Sequence, residues 1–245
     1  MDKPIIQSSE GDQLKTSGLV ERTMRDIRSL IRDKRLIPGD VLPSEGALAA
    51  ELEVSRTVAR EALRGLAALR ILEVGNGRRA RVAAADADAL SMILDHTVYT
   101  GQLSIQQILD VRRTLELRTA SLAALRRSDA EARELLDVVA GMFEGLENDA
   151  PETIMELDIR FHEIIARASG NALYSILVDS FRVITRQTWA IGWRSRATHE
   201  NRQENIRCHE RIATAILAQD PGRAEAAIGE HFDSAVTVLL RAGVT

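Results

Sequence analysis

The sequence predicts a mainly α protein, with an N-terminal winged helix-turn-helix followed by a C-terminal all-α helical bundle. Three observations carry that prediction. Helical periodicity runs through most of the chain; the strand signals of quality are two short β-prone pieces flanking Asn76-Gly77; and the charge changes sign along the chain. Residues 1–82 hold 15 Lys and Arg against 12 Asp and Glu, a net of +3, whereas residues 83–245 hold 17 against 24, a net of −7. At 245 residues and 45% hydrophobic, the chain can bury the cores of about two domains, and a basic end on an acidic body suggests two tasks.

Residues 1–17 are polar and unpatterned and read as a flexible tail. A winged helix-turn-helix is expected over 18–83. Its first helix carries apolar residues at Leu19, Met24, Ile27, Leu30 and Ile31 and stops before Pro38-Gly39. Ser44 caps a second helix that buries Leu48 and Leu52, and Ser55 caps a third. "ILEV" and "ARV" joined through Gly75-Asn76-Gly77-Arg78 form a hairpin signal. A linker at 84–87 leads to helices over 88–96, 104–127, 129–147, 151–169, 173–189, 200–219 and 221–241. Pro151 and Pro221 suit first helical positions, Asp220 suits an N-cap, and Gly170-Asn171 suits a helix stop.

The third helix, "SRTVAREALRGL", answers to the charge pattern. At about 100° per residue Arg56, Arg60 and Arg64 fall within about 80° of one another, while Ala59, Ala62, Leu63 and Leu66 fall on the other side. One face is apolar and the next is basic. A helix start presenting Ser55, Arg56, Thr57 and Arg60 is of a kind that the major groove of duplex DNA accepts, where arginine pairs with both guanine acceptors. Ordinary solvated arginines are the other reading of that face taken alone. The preceding helix, the hairpin and the basic residues Arg78, Arg79 and Arg81 weigh against it.

The run "PGDVLPSEGALAAELEVSRTVAREALRGLAALRILEVGNGRRARV" resembles the DNA-binding domain of the GntR family of bacterial transcription regulators. The matching residues are Pro38-Gly39-Asp40, Leu42-Pro43-Ser44-Glu45, Ser55-Arg56-Thr57, Arg60-Glu61-Ala62-Leu63 and the hairpin glycines, Gly77 among them. The resemblance implies that Arg56 and Arg60 touch bases or adjacent phosphates, that Thr57 and Ser44 touch phosphates, and that the 75–81 hairpin enters the minor groove. Two positions depart from the family: Gly46 stands where an arginine is usual after Pro-Ser-Glu, and Val58 where many members have proline after Ser-Arg-Thr.

In the helical half, Asp158 and His162 are four apart and share one helix face, while His209 and His231 lie on two later helices. Three imidazoles and a carboxylate suit a divalent transition metal, zinc foremost, with nickel or manganese as alternatives. Each histidine taken singly reads as an ordinary core or surface residue before it reads as a ligand, and it is the set that points to a metal. Residues 88–240 resemble the helical C-terminal effector-binding (FCD) domain of the FadR-type branch of the GntR family, in "DVRRTLELRTASLAAL", in Asp158-x3-His162 followed by "ARASGN", and in the two later His-bearing helices. The helix at 88–96 favours the seven-helix version of that domain. The resemblance implies a metal held by Asp158, His162, His209 and His231, with a small carboxylate metabolite against it. Arg112 and Glu116 match the family's Arg and Glu, and Arg112 is assigned to the effector carboxylate; a surface i,i+4 ion pair is the other reading. Asn205, one turn before His209, is expected to support the metal or face the effector, or else to be a polar surface residue. Trp189 and Trp193 read as core or pocket wall.

The resemblance thus implies a transcription regulator, a repressor by expected sign, that binds an inverted-repeat double-stranded DNA operator as a homodimer and is switched by a small carboxylate. The residues 88–245 would then serve effector binding and dimerisation. The contrasting expectation is a mononuclear metal-dependent hydrolase or lyase built on the Asp/His cluster. Such an enzyme needs a general base, for which Glu163 and Glu210 are the candidates; a pure metal sensor would differ only in what fills the open coordination positions. The lone Cys208 excludes an internal disulfide and reads as a small buried hydrophobe. With no apolar run of about 18 residues and no secretion signal, a cytoplasmic protein without a membrane partner is expected.

Overall fold

The computed structural model describes residues 10–75 and 78–244. Among them, eleven helices and two short strands divide into a unit that ends at Ala89 and a unit that begins at Leu90.

The first unit holds α1 (Glu10–Asp33), α2 (Glu45–Glu51), α3 (Arg56–Ala68), β1 (Leu72–Glu73) and β2 (Arg81–Val82). Helix α1 begins inside the stretch read as a tail, so the expected boundary at 17 is corrected to Glu10. Extending a helix already nucleated by its buried downstream face fixes one residue per hydrogen bond, and polar residues such as Glu10, Gln13 and Lys15 do not oppose it. Side-chain caps set the next two helices: Ser44 Oγ accepts from the Ala47 N–H at 3.2 Å, and Ser55 Oγ from the Val58 N–H at 3.2 Å. Between them the chain turns in residues 52–55, with Glu53 at φ 53°.

Helix α3 buries Val58, Ala59, Ala62, Leu63 and Leu66 against a core with Ile27, Leu30, Leu42, Leu48 and Leu72. A Cβ on Gly65 would stand 2.9 Å from Met24 Sδ, so the absence of a side chain lets α1 and α3 approach closely there. The strands pair antiparallel, Leu72 opposite Val82 and Glu73 opposite Arg81. Val41 bridges to Arg81, and Leu42 N–H donates to the Ala80 carbonyl at 2.8 Å, which ties the hairpin to the segment before α2. Asn76 and Gly77, on which the hairpin expectation rests, lie outside the described residues.

The second unit contains α4 (Asp88–Tyr99), whose first residues precede the division, then α5 (Ile105–Arg126), α6 (Asp129–Glu147), α7 (Pro151–Ala168), α8 (Ala172–Ser180), α9 (Arg182–Ser195), α10 (His199–Leu217) and α11 (Pro221–Arg241). Capping boxes at Ser104/Gln107 and Ser128/Glu131 start α5 and α6, and Asp220 Oδ1 accepts from Arg223 N–H ahead of Pro221. Gly170 adopts φ +70° at the end of α7, as expected of a helix stop.

The single helix expected over 173–189 is corrected to two, broken at Phe181, with the second running on to Ser195. Phe181 is buried with Ile108 and Ile184, and Ser180 Oγ donates to the Leu177 carbonyl at 2.7 Å, competing with the helical ladder. The break serves tertiary packing, and no Gly or Pro marks it in the sequence. The main core joins α5, α6, α7, α10 and α11 through Ala123, Leu135, Met142, Phe161, Ile164, Ile216 and Phe232.

Leu66 is fully buried at the centre of the first unit. Leu66→Ala is expected to cost about 2–5 kcal/mol, read as a lower urea midpoint for the transition of this unit; an unshifted midpoint would show that α3 is not held by this core.

Candidate metal centre and DNA-reading helix

In the second unit, the i,i+4 spacing on α7 sets Asp158 and His162 on one buried face, and α10 and α11 bring His209 and His231 to them. All four are buried, and one donor atom from each lies within 4.8 Å of the others. The expected four residues therefore converge.

The hydrogen bonds outside the cluster determine which atoms face inward. His162 Nδ1 meets Glu116 Oε2, and Glu116 is a carboxylate that can only accept, so Nδ1 carries the proton. His209 Nδ1 lies 2.9 Å from the Asn205 carbonyl, which likewise only accepts. In the neutral form both imidazoles consequently turn an unprotonated Nε2 toward the centre. Neither Nε2 has a hydrogen-bond partner among the described residues, and neither does His231 Nδ1. His209 Nε2 stands 2.9 Å from Asp158 Oδ1, so a lone pair faces a carboxylate oxygen. Two acceptors in that position repel unless a cation lies between them, and buried unpartnered acceptors cost about 1–3 kcal/mol each. The donor set therefore fits a divalent metal ion, with Asp158, His162, His209 and His231 as the residues that would hold it.

The titration directions agree. Burial alone pushes the Asp158 carboxyl up, but its contact with His209, and the positive charge that His209, His162 or His231 would carry on protonation, outweigh burial and hold it well below the usual carboxylate range. Burial, reinforced by His209 and His162, pushes the His231 imidazole well below its ordinary value, keeping it in the neutral, metal-ligating form. Burial likewise raises Glu116, and Arg112 and His162 overcome it.

Arg112 and Glu116 form an i,i+4 pair, Nε to Oε1 at 2.5 Å, but a buried one and not the surface pair that was the other reading. Arg112 also donates through Nη1 to Thr185 Oγ1 at 2.8 Å and lies 5.4 Å over the Phe232 ring. Glu116, expected at the effector, is not among the residues lining the cavity beside the cluster, because its two oxygens are taken by Arg112 and His162. It positions a ligand and does not face the pocket. That cavity holds about 70 Å³ of open space and is lined by Arg112, Asp158, His162, His231 and Asn205, with Trp189 and Trp193 as wall. The two indoles stack at 4.9 Å. Sequence reasoning missed Thr185, Thr188 and Arg196 in the lining. No spacing relates these positions to Arg112, which lies on a different helix.

Neither candidate base serves the cluster. Glu163 pairs with Arg182 and lines a separate groove, and Glu210 is exposed. Cys208 is buried, and burial pushes its thiol up, away from nucleophilic reactivity.

In the first unit, Ser55, Arg56, Thr57, Arg60 and Arg64 are exposed along α3, and Ser44, Arg78 and Arg79 are exposed outside it. Arg60 is held by Glu45 at 3.0 Å and Arg64 by Glu61 at 3.0 Å. A Cβ on Gly46 would sit 3.6 Å from Arg56 Nε, so the missing family arginine coincides with space over which the Arg56 guanidinium lies. Arg81 donates to the Gly39 carbonyl at 2.7 Å and so braces the hairpin. Gly77 lies outside the described residues.

A capped helix-turn-helix with an exposed basic helix and a short wing, followed by a helical unit enclosing a polar cavity, defines a ligand-responsive transcription regulator. Residues 19–82 match the family described as bacterial regulatory proteins, gntR family, and residues 107–234 match the FCD domain. The chain is 32% identical over 218 residues to the HTH-type transcriptional regulator LutR of Bacillus subtilis, covering 86% of this chain and 96% of that one. It is 27% identical over 225 residues to the HTH-type transcriptional repressor NanR of Escherichia coli, covering 88% and 82%. Among solved structures, a Streptococcus agalactiae GntR superposes with a TM-score of 0.62 at 26% identity, covering 88% of this chain and 97% of that one. The chain belongs to the GntR family and carries an FCD domain. It is a metabolite-responsive transcription regulator, not an enzyme, which sets aside the metal-hydrolase expectation.

Glu116→Gln removes the charge that holds His162 in its metal-facing tautomer, and is expected to weaken zinc binding about 10- to 100-fold in competition with a chromophoric chelator. Affinity equal to that of the parent would remove Glu116 from this role.

Proposed function

We propose that the protein is a cytoplasmic repressor that binds an inverted-repeat operator as a homodimer and releases it when a small carboxylate metabolite binds beside a divalent metal, zinc foremost, in the FCD domain. The observation that carries this reading is the convergence of three unpartnered imidazole nitrogens with Asp158, at a cavity lined by Asp158, His162, His231 and Arg112. A dication there supplies a Lewis-acidic centre that attracts an anionic oxygen. Arg112, oriented by Glu116 and Thr185, offers further N–H groups for a carboxylate, and Asn205 adds a polar side at the wall. NanR of Escherichia coli, to which the chain is similar, is a transcriptional repressor, which supports the sign. No described helix is long and apolar enough to cross a membrane.

On DNA, Arg56 and Arg60 would read the groove from α3, with Thr57, Arg64, Ser55 and Ser44 at the backbone and Arg78 and Arg79 at the wing. Glu45 pre-orients Arg60 in the free protein. This exposed ion pair is weak enough to yield to a phosphate or a base edge. A coupling of about 1–3 kcal/mol between metabolite and operator suffices for a 5- to 150-fold change in DNA affinity.

Metal content of untagged protein, measured by plasma mass spectrometry, is expected to be about one zinc, nickel or manganese per chain; protein that has met no chelator and carries none overturns the metal site. His209→Ala should lose the metal and the response to carboxylates while still binding operator DNA. Arg60→Ala is expected to cost roughly 1–3 kcal/mol on the specific site and to erode discrimination against random DNA, with the fold intact. Retained discrimination would refute the assignment of α3 as the reading helix.

A further inference from the structure

Arg196 follows α9 and lines two neighbouring cavities. The first is the metal-side cavity. The second holds about 250 Å³ and is walled by Ser195, Asn201, Asn205, Cys208, Ser234 and Arg241 among others. Arg196 and Asn205 are common to both, so the two spaces meet at these side chains.

Arg196 has no carboxylate partner among the described residues, although ion pairs are abundant elsewhere in this unit. Its one side-chain hydrogen bond is to the Gly192 carbonyl of its own helix, at 3.1 Å. A Cβ on residue 192 would come within 3.2 Å of Arg196 Nη1, so glycine there gives the guanidinium room to fold back into the cavity wall. Arg202 Nε donates to the Arg196 carbonyl at 3.0 Å and fixes this turn. Arg112, by contrast, has its charge matched by Glu116. The cavity wall thus carries one guanidinium held in an ion pair and one, Arg196, in none, on which Asp158 acts only at longer range. A half-buried cation without a counter-ion in contact is costly unless a ligand supplies the negative charge.

We infer that Arg196 is a second anion-recognition point, and that the effector is a small polar acid with two acidic groups, one at Arg112 and the other reaching Arg196 where the two cavities meet. This rests on the reading of a carboxylate effector given above. The outer chamber offers serine, asparagine and arginine side chains to the polar end of such a molecule, and Glu204, which also lines it, is paired with Arg207 and Arg211. It also fits the small size of the inner cavity, which by itself accommodates only a short acid head.

The test is isothermal calorimetry on the full chain, with malonate, succinate, glutarate and adipate each set against the monoacid of the same carbon number. The parent is expected to bind its preferred diacid roughly tenfold or more tighter than the matching monoacid. In Arg196→Gln that preference should fall to near unity, and Arg196→Lys, which keeps the charge, should restore part of it. The melting transition of each variant checks its fold. If the parent binds diacids and monoacids alike, or if Arg196→Gln keeps the parent's preference, the role of Arg196 is overturned and the carboxylate reading stands. If the parent binds neither class, the carboxylate reading fails and this inference falls with it.

Discussion

Buried lone pairs that face one another need a cation, and much of the second unit is arranged around that constraint. The rings of His162 and His209 are each anchored from behind, one by Glu116 and the other by the Asn205 carbonyl, so the protons lie outside the cluster and the lone pairs inside it. Asp158 adds negative charge at the same point. Without a cation these groups oppose the packing of α7, α10 and α11; with one they join three helices that contribute no covalent link to each other. Because the donors are spread over separate helices, binding there is also a contribution to the stability of the folded bundle.

The constraint propagates outward through Arg112. Glu116 must stay ionised to hold His162, and it stays ionised because Arg112 lies against it. Arg112 is in turn oriented by Thr185 and stands over Phe232. A ligand touching Arg112 therefore touches a network that ends at the His162 imidazole, in the Asp158/His162/His209/His231 cluster. Networks of this kind respond as units, since the loss of one member leaves the others buried without partners.

The first unit obeys simpler physics. Serine caps start α2 and α3, an apolar stripe fixes the rotation of α3, and the arginines are left on the outside because nothing apolar competes for that face. The chain's net charge of −4 conceals this face, as it conceals Arg196, a half-buried cation in no ion pair, in the acidic half. Recognition depends on local charge, which a whole-chain sum averages away.

Local regularities were legible in the sequence. Caps, prolines at helix starts, the Gly170 stop, the basic face of α3 and the Asp158/His162 pair all follow from spacings of a few residues, and a helix repeats every 3.6. The set of four metal-facing residues was legible only through resemblance, since His209 and His231 share no local spacing with α7. The break at Phe181 and the start of α1 at Glu10 were not legible: the first is imposed by burial against α5, and the second is propagation from a helix whose buried face lies downstream. Nor did the sequence show that Glu116 serves His162, 46 positions away, and not the ligand, or that Thr185 and Arg196 stand in the cavity wall. Periodicity records which face of a segment is buried. Which distant faces meet, and which polar atoms are left without partners when they do, is decided only when the helices pack.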